Sequence, residues 1–410
     1  MTITDWTVFM VKRFYEETSG DRSKRVNEYL NNQCRNKKHN LLIIGTGLIG
    51  REHIRVASLL GAAKIHGIYD SNENSMDLAE EELQKFSNEK LIRYNSIKSA
   101  YQDPAVDAIL ICTPNYTHHQ IFLEVAKSGK PIFVEKPMAT SLKDGAEILR
   151  LSSKHPAFIQ VGMQYRYKAQ YVDAFHEVKV LKSLGNIKTI SMSEYRPPFL
   201  DKVEQWNKFN EFSGGTFVEK CCHYFDLINL LADGQPKDVF ASGGQAVNFL
   251  NFAHEGRKSD IDDHGFAIIN YRNGIRANFT LNMFANEFYE ELVITGEKGR
   301  LVASEKASAD KKRQTKASIM VEVEGHQHYE GSKIGYPPSI EKSGHHGATF
   351  FEHEALISQL QQKEVDAATP RQGLMAMLVA SAAQRSISEN NVVSIAEHAE
   401  RNGIKEILNQ

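Results

Sequence analysis

The apolar positions change period along the chain, and the change divides it into three parts. Over residues 1–39, Trp6, Phe9, Met10 and Phe14, then Val26, Tyr29 and Leu30, recur at helical spacing around a Ser19-Gly20-Asp21 break. This predicts two short amphipathic helices in an N-terminal extension. From Asn40, short apolar runs alternate with amphipathic stretches. Residues 41–44, 64–69, 106–112, 131–134 and 158–161 read as buried strands, with a weaker candidate at 91–94. Continuous apolar runs suit a parallel sheet covered on both faces. Residues 49–60, 75–86, 118–128 and 142–152 read as the intervening helices, so 40–162 is predicted to be a doubly wound α/β domain of the Rossmann type.

After Gly162 the period becomes two, over 187–195, 265–271, 275–282 and 291–294, with one helix around 217–231. Asn273-Gly274 between two of these runs is a hairpin signal, because both residues tolerate positive φ. Residues 163–410 are therefore predicted to form an α+β domain with an open, largely antiparallel sheet, closed by helices near 350–360 and 373–386. The polar stretch 304–345, with Lys311-Lys312-Arg313 and Lys316, reads as a solvated hairpin. An open sheet with apolar outer positions generally seeks a partner, so a homodimer or homotetramer is expected.

Composition narrows the function. At 410 residues the chain exceeds the roughly 250–300 that one core serves, which agrees with two domains. Lysine and arginine number 49 against 51 acidic residues, so no general field attracts nucleic acid or an anionic membrane. No run reaches the ~18 apolar residues of a membrane span, and no export signal stands out, so a soluble, cytoplasmic protein is expected. Cys34, Cys112, Cys221 and Cys222 form no disulfide framework. The adjacent pair Cys221-Cys222, followed by His223, lacks the C-x-x-C geometry of a metal site, and no metal is expected. His353-Glu354 fails as a zinc-protease motif because Ile357 stands where the second histidine belongs.

Chemistry enters at Gly45-Thr46-Gly47-Leu48-Ile49-Gly50, a G-x-G-x-x-G run that follows a predicted strand and opens a predicted helix. In that context Gly45 makes the tight turn, Gly47 admits a pyrophosphate, and Gly50 lets helix and strand approach. The first-turn N–H groups, Leu48 and Ile49 included, face the phosphates. Asp70 closes the second strand about 20 residues on, where a carboxylate accepts from ribose hydroxyls and repels a 2′-phosphate. NAD is therefore favoured over NADP. Asp70-Ser71-Asn72 is also good turn chemistry, and both readings hold together.

Two further motifs, Thr113-Pro114-Asn115-Tyr116-Thr117-His118 and Glu135-Lys136-Pro137, resemble signatures of the glucose-fructose oxidoreductase/inositol dehydrogenase (Gfo/Idh/MocA) family, over roughly 40–390. The resemblance implies a nicotinamide-dependent oxidoreductase acting on a cyclic polyol, sugar or sugar-like alcohol. It implies Thr113, Pro114, Asn115, His118 and Glu135 at the cofactor, and Lys136 beside the nicotinamide. Glu219-Lys220-Cys221-Cys222-His223 then supplies the carboxylate and histidine four apart that complete such sites, although Asp is commoner than Glu there. Tyr165 and Arg166 match a region where the family places a substrate-contacting arginine; a surface salt bridge is the competing reading.

On a continuous helix Glu219 and His223 share a face, and a carboxylate beside an imidazole favours its charged form and orients the ring. His223 is the preferred base, with Lys136 polarising the developing carbonyl, while a lysine whose pKa falls by burial and like charge could serve instead. Taken alone, His223 among Phe217, Tyr224, Leu227 and Leu230 reads as a core histidine. His345-His346 sits where it could border the cleft. Two other readings stay open: a glycosidase that oxidises its sugar transiently with bound NAD and cleaves by elimination, and a non-catalytic dinucleotide-sensing regulator. Lys136-Pro137 favours a restricted peptide, cis among the options.

Overall fold

The computed structural model describes residues 38–308, 315–324 and 332–406. The helices expected before residue 38, Cys34 and the basic run Lys311-Lys312-Arg313 lie outside the described residues. The N-terminal unit runs β1 (His39–Ile44), α1 (Leu48–Leu60), β2 (Ala63–Tyr69), α2 (Glu73–Gln84), β3 (Ile92–Arg93), α3 (Ile97–Gln102), β4 (Ala108–Ile111), α4 (His118–Val125), β5 (Ile132–Glu135), α5 (Leu142–Ser152) and β6 (Ile159–Gly162). Its strand order is β3-β2-β1-β4-β5-β6, every pairing parallel. Residues of β1, β4 and β5 are buried to both faces, which is why these strands read as unbroken apolar runs. The chain changes direction between β1 and β4, and the crevice outside their carboxyl ends is where such sheets bind ligands.

The second unit continues with α6 (Ala169–Phe175), β7 (Ile187–Tyr195), α7 (Asn210–Ser213), α8 (Thr216–Glu219), α9 (Cys222–Ala232), β8 (Pro236–Gly244) and the small hairpin β9 (Ala253–His254) and β10 (Arg257–Lys258). It then runs β11 (His264–Tyr271), β12 (Arg276–Asn282), β13 (Phe288–Gly296), β14 (Gly299–Ala307), β15 (Lys316–Val323), β16 (Ser332–Ile334), α10 (Pro338–Glu341), α11 (Ala348–Leu360), α12 (Pro370–Glu389), β17 (Val393–Ser394) and α13 (Ile395–Arg401). The large sheet has the order β16-β15-β14-β13-β7-β12-β11-β8-β17. It is antiparallel except where β12 runs parallel to β7. The stretch expected to be a solvated hairpin instead supplies the end of β14 and all of β15, where Ala307 and Ala317 turn inward.

The inner face of this sheet carries α9. Tyr224 stacks on Phe279 of β12 at 4.8 Å between ring centroids, and Phe225 meets the same ring edge-on at 5.5 Å. The outer face leaves Phe240, Phe266 and Ile268 exposed, and the expectation of self-association rests on it. Helix α11 packs against α1, and α12 spans from β8 to α5, so both domains share one buried body. Among the described residues no helix is long and apolar enough to cross a membrane.

Phe279 is fully buried and joins the sheet to the helix that follows Glu219. Phe279→Ala is expected to cost about 3–5 kcal/mol in urea unfolding, the range for emptying an aromatic site in a packed core.

Candidate active site

The glycine loop fits a dinucleotide phosphate. Gly45 has φ +93°, and a Cβ there would lie 2.6 Å from the Thr113 amide nitrogen, so the turn admits only glycine. A Cβ at Gly50 would meet the Gly45 carbonyl at 2.1 Å, which keeps helix and loop in close contact. A Cβ at Gly47 would meet nothing within 4 Å: it would fill the space at the head of α1. Gly47 is the N-cap of that helix and brings no side chain to its first-turn N–H groups, which leaves them to a phosphate. Asp70 Oδ2 accepts from the Thr46 amide at 2.7 Å and from its hydroxyl at 3.1 Å, while Oδ1 accepts from the Asn72 amide at 2.9 Å. The carboxylate thus braces the loop at the place where a ribose would lie.

The loop after β4 is held from within. His118 is fully buried, with Nδ1 2.8 Å from the Pro137 carbonyl and Nε2 2.8 Å from that of Thr113. Thr113 accepts from the Thr117 hydroxyl at 2.7 Å, and Asn115 donates to the Ser213 carbonyl at 3.3 Å. Thr113 and Pro114 are half-buried at the crevice. Glu135 is occupied by His53 Nε2 at 2.9 Å and by the Lys136 amide at 3.0 Å. The side-chain polar atoms of His118 and Glu135 are thus engaged inside the protein, where both residues shape the wall of the crevice.

Lys136, joined to Pro137 by a cis peptide, reaches from the end of β5 into the second domain. Its Nζ donates to the Glu219 backbone carbonyl at 2.9 Å and lies 3.8 Å from the Glu219 carboxylate. That bond explains a correction. The helix expected over 217–231 is broken: α8 stops at Glu219 and α9 begins at Cys222. The carbonyl that a continuous helix would give to the His223 amide goes to Lys136 instead, and a side chain entering the backbone ladder is a known cause of kinks.

The break separates Glu219 from the role expected of it. Its carboxylate is shared by Lys136 and by Lys202 at 3.7 Å. Burial opposes its ionisation, but Lys136, Lys202, Lys220 and Arg196 together hold it below the usual carboxylate range. His223 rests instead flat on Tyr165, ring centroids 4.1 Å apart and planes 5° apart. Its Nδ1 is buried without a hydrogen-bond partner. Burial pushes the imidazole well below its ordinary pKa, and Lys136 and Lys220 push the same way, so the ring is neutral rather than the expected imidazolium. Burial opposes the charge of Lys136, but Glu219 leads the neighbours that outweigh burial and favour the ammonium.

Tyr165 is fixed by Lys220, whose Nζ donates to the phenol oxygen at 2.6 Å and lies 3.1 Å from Glu194. Arg166 makes two 2.6 Å bonds to Asp226 on α9, both groups buried, while its Nη1 is buried without a hydrogen-bond partner, 3.9 Å from the Asp366 carboxylate. The pair is buried rather than the surface salt bridge of the competing reading. His345 meets Glu52 of α1 at 2.6 Å and lies 6.2 Å from the Tyr165 ring, so it borders the site from the α11 side. Sequence reasoning missed Glu194, Arg196, Lys202 and the part played by Lys220. One signal was present: Glu194 follows Ile190 and Met192 on the inward alternation of β7, and a carboxylate on an apolar face is costly unless paired.

Comparison with known proteins follows this geometry. A model of the Gfo/Idh/MocA oxidoreductase family's NAD-binding Rossmann fold matches residues 39–163, and one of its C-terminal α/β domain matches 179–395. The chain belongs to this family. This Gfo/Idh/MocA member is 25% identical to a myo-inositol 2-dehydrogenase of Thermotoga maritima over 87% of its own length and 98% of the relative's. It is 26% identical to a 2,7-anhydro-N-acetylneuraminate hydratase of Escherichia coli, covering 87% and 96%. A levoglucosan dehydrogenase solved with NADH and levoglucosan superimposes with a TM-score of 0.71 at 17% identity, covering 88% and 100%, and shares the fold. The protein is thus an oxidoreductase with an NAD-binding Rossmann domain.

The Arg166–Asp226 pair yields a test of its structural role. Arg166→Ala is expected to cost about 3–5 kcal/mol, because the buried Asp226 charge loses its partner. The thermal midpoint should fall sharply while dinucleotide affinity, measured by calorimetry below that midpoint, stays close to wild type.

Proposed function

We propose that the protein oxidises a ring hydroxyl of a cyclic polyol, sugar or sugar-like alcohol, reversibly, with NAD in preference to NADP. The single observation that carries this reading is the junction of Lys136 with the Glu219 carbonyl, which fixes an ammonium at the head of the helix that carries a neutral His223. The first-turn amides of α1 would hold the pyrophosphate, and Asp70 the adenosine ribose. A nicotinamide bound in the crevice would supply the hydride acceptor.

His223, unprotonated and buried, takes the hydroxyl proton at an imidazole nitrogen as the carbon loses hydride. Lys136 donates to the same oxygen and stabilises the carbonyl that forms. Glu219 steadies Lys136, and Tyr165 holds the imidazole plane. Charge on the substrate oxygen is met by an ammonium already oriented before reaction, in a site with little water to reorganise.

A second reading is supported by the resemblance to the hydratase: oxidation would be transient, and elimination would open a glycosidic link before the hydride returns. Product formation without net accumulation of reduced cofactor distinguishes it.

In a screen of polyols and sugars with NAD+, followed by absorbance of the reduced nicotinamide, Lys136→Ala and His223→Ala should each lower kcat about 10²–10⁴-fold on any substrate found. The pH profile separates the two candidate bases. A histidine held well below 6.5 stays deprotonated as pH falls through neutrality, so oxidation should remain level there and decline only in acid. A raised lysine as base would instead make the rate climb into alkali. Asp70→Ala should weaken NAD+ binding by roughly 10- to 100-fold, the range for a lost charge-assisted hydrogen bond, and narrow the preference over NADP+.

A further inference from the structure

The cations around Glu219 exceed the anions that serve them. Lys136 and Lys202 share the one carboxylate of Glu219, at 3.8 and 3.7 Å. Lys220 and Arg196 share the one carboxylate of Glu194, at 3.1 and 3.6 Å, through the same oxygen. All four cations bear on Glu219, so they form one cluster around one place. Four positive groups meet two carboxylates at ion-pair distance in a largely enclosed site; Glu135 also bears on Lys136 and Lys202, from farther off, and is engaged by His53 at 2.9 Å. The nearby His345 and Lys168 do not alter this balance, because Glu52 answers the first, and Glu290 and Glu305 the second.

The surplus lies toward the opening. Glu194 is almost wholly buried, whereas the side chain of Lys202 keeps 34% of its surface exposed. Lys202 is held over the Trp206 ring at 4.5 Å, and Arg196 over Phe199 and Phe288 at 5.2 and 5.5 Å. Aromatic faces orient both cations and supply no countercharge of their own. The segment after Lys202 is strained: Glu204 and Gln205 have φ of +52° and +53°, unfavourable for residues with a Cβ. Such strain persists where surrounding structure enforces it, commonly at ligand sites. Burial depresses the Lys202 ammonium in spite of Glu219, as expected for a cation lacking a full partner.

We propose that the substrate is an acidic sugar whose carboxylate or phosphate is received by Lys202 and Arg196 while its ring hydroxyl reacts between Lys136 and His223. The inference rests on the reading of this site as a sugar oxidoreductase and narrows it to an anionic class. An anion there supplies the charge that Glu219 and Glu194 leave unmet. A neutral polyol would leave Lys202 and Arg196 with no anion beyond the shared carboxylates of Glu219 and Glu194, and an oxidised nicotinamide would add a further positive charge. Such a site favours anions by attraction and disfavours neutral sugars by leaving its cations desolvated and unpaired.

The test compares matched probes with NAD+ on the full chain: glucose, glucuronate and glucose 6-phosphate, then the galactose series, at low and high salt. The expected result is a kcat/KM at least about tenfold higher for an acidic member than for its neutral parent, the range of one charge-assisted hydrogen bond. The acidic member's KM should rise with ionic strength, and its identity decides between carboxylate and phosphate. Lys202→Gln should abolish the preference and Lys202→Arg should restore it; calorimetric NAD+ binding shows that each variant is folded. Neutral members of either series turned over as well as the acids would overturn the inference and leave the dehydrogenase reading standing. So would an acid preference that survives in both Lys202→Gln and Arg196→Gln. Absence of nicotinamide-linked turnover with every probe, acidic or neutral, would overturn both.

Discussion

One hydrogen bond organises the candidate site: the ammonium of Lys136 on the backbone carbonyl of Glu219. It crosses from the end of a Rossmann strand to the second domain, and it takes the acceptor that would have continued a helix. Because the helix breaks there, Glu219 turns toward the lysines while Cys222 starts a new helix whose second residue is His223. Buried carbonyls need partners, so the bond and the break are mutually required. The separation of roles follows: a charged pair on one side, an uncharged imidazole on the other.

That separation sets the chemistry. An imidazole bonded to Glu219 would tend toward the cation and would be a poor proton acceptor. In the structure the neighbours of His223 with the strongest influence are cationic, and its ring is held by stacking on Tyr165, which restrains orientation without favouring protonation. Lys220 serves both conditions at once. Its bond to the phenol oxygen fixes Tyr165, and its charge raises the cost of a protonated His223.

The parts legible in the sequence are those that depend on local pattern. Continuous apolar runs gave the parallel strands, and the period of two gave β7, β11 and β12, because burial on both faces or on one leaves a direct trace. Gly45, Gly47 and Gly50 were legible because strand, turn and helix succeed each other within a few residues. The break at Glu219 was not, since Phe217, Val218 and Tyr224 through Leu231 carry an unbroken helical pattern and the cause of the break lies 83 residues away, just past β5. Arg166 was ambiguous for the same reason: nothing near it in sequence announces Asp226, 60 residues on. Charges paired across domains leave no periodicity to read, and only Glu194, on an apolar strand face, betrays itself.

The cofactor crevice is supported from behind in the same long-range manner. His53 lies on α1, three residues past the last glycine of the loop, and stands between Glu135 at the end of β5 and His353 on α11, at 2.9 and 2.6 Å. Glu52, its neighbour on α1, accepts from Thr349 of α11 at 2.6 Å and meets His345 just before that helix at the same distance. Burial opposes ionisation of Glu52, but His345 above all holds its carboxyl down to about 2. The first helix of the Rossmann domain is therefore bound through charge and hydrogen bonds to a helix contributed by the second domain. Since Glu135 precedes Lys136, the same network reaches the residue that bonds Glu219. The helix that follows the glycine loop and the Lys136–Glu219 junction are thus positioned by one connected set of buried polar contacts, and a displacement of α11 would be felt at both.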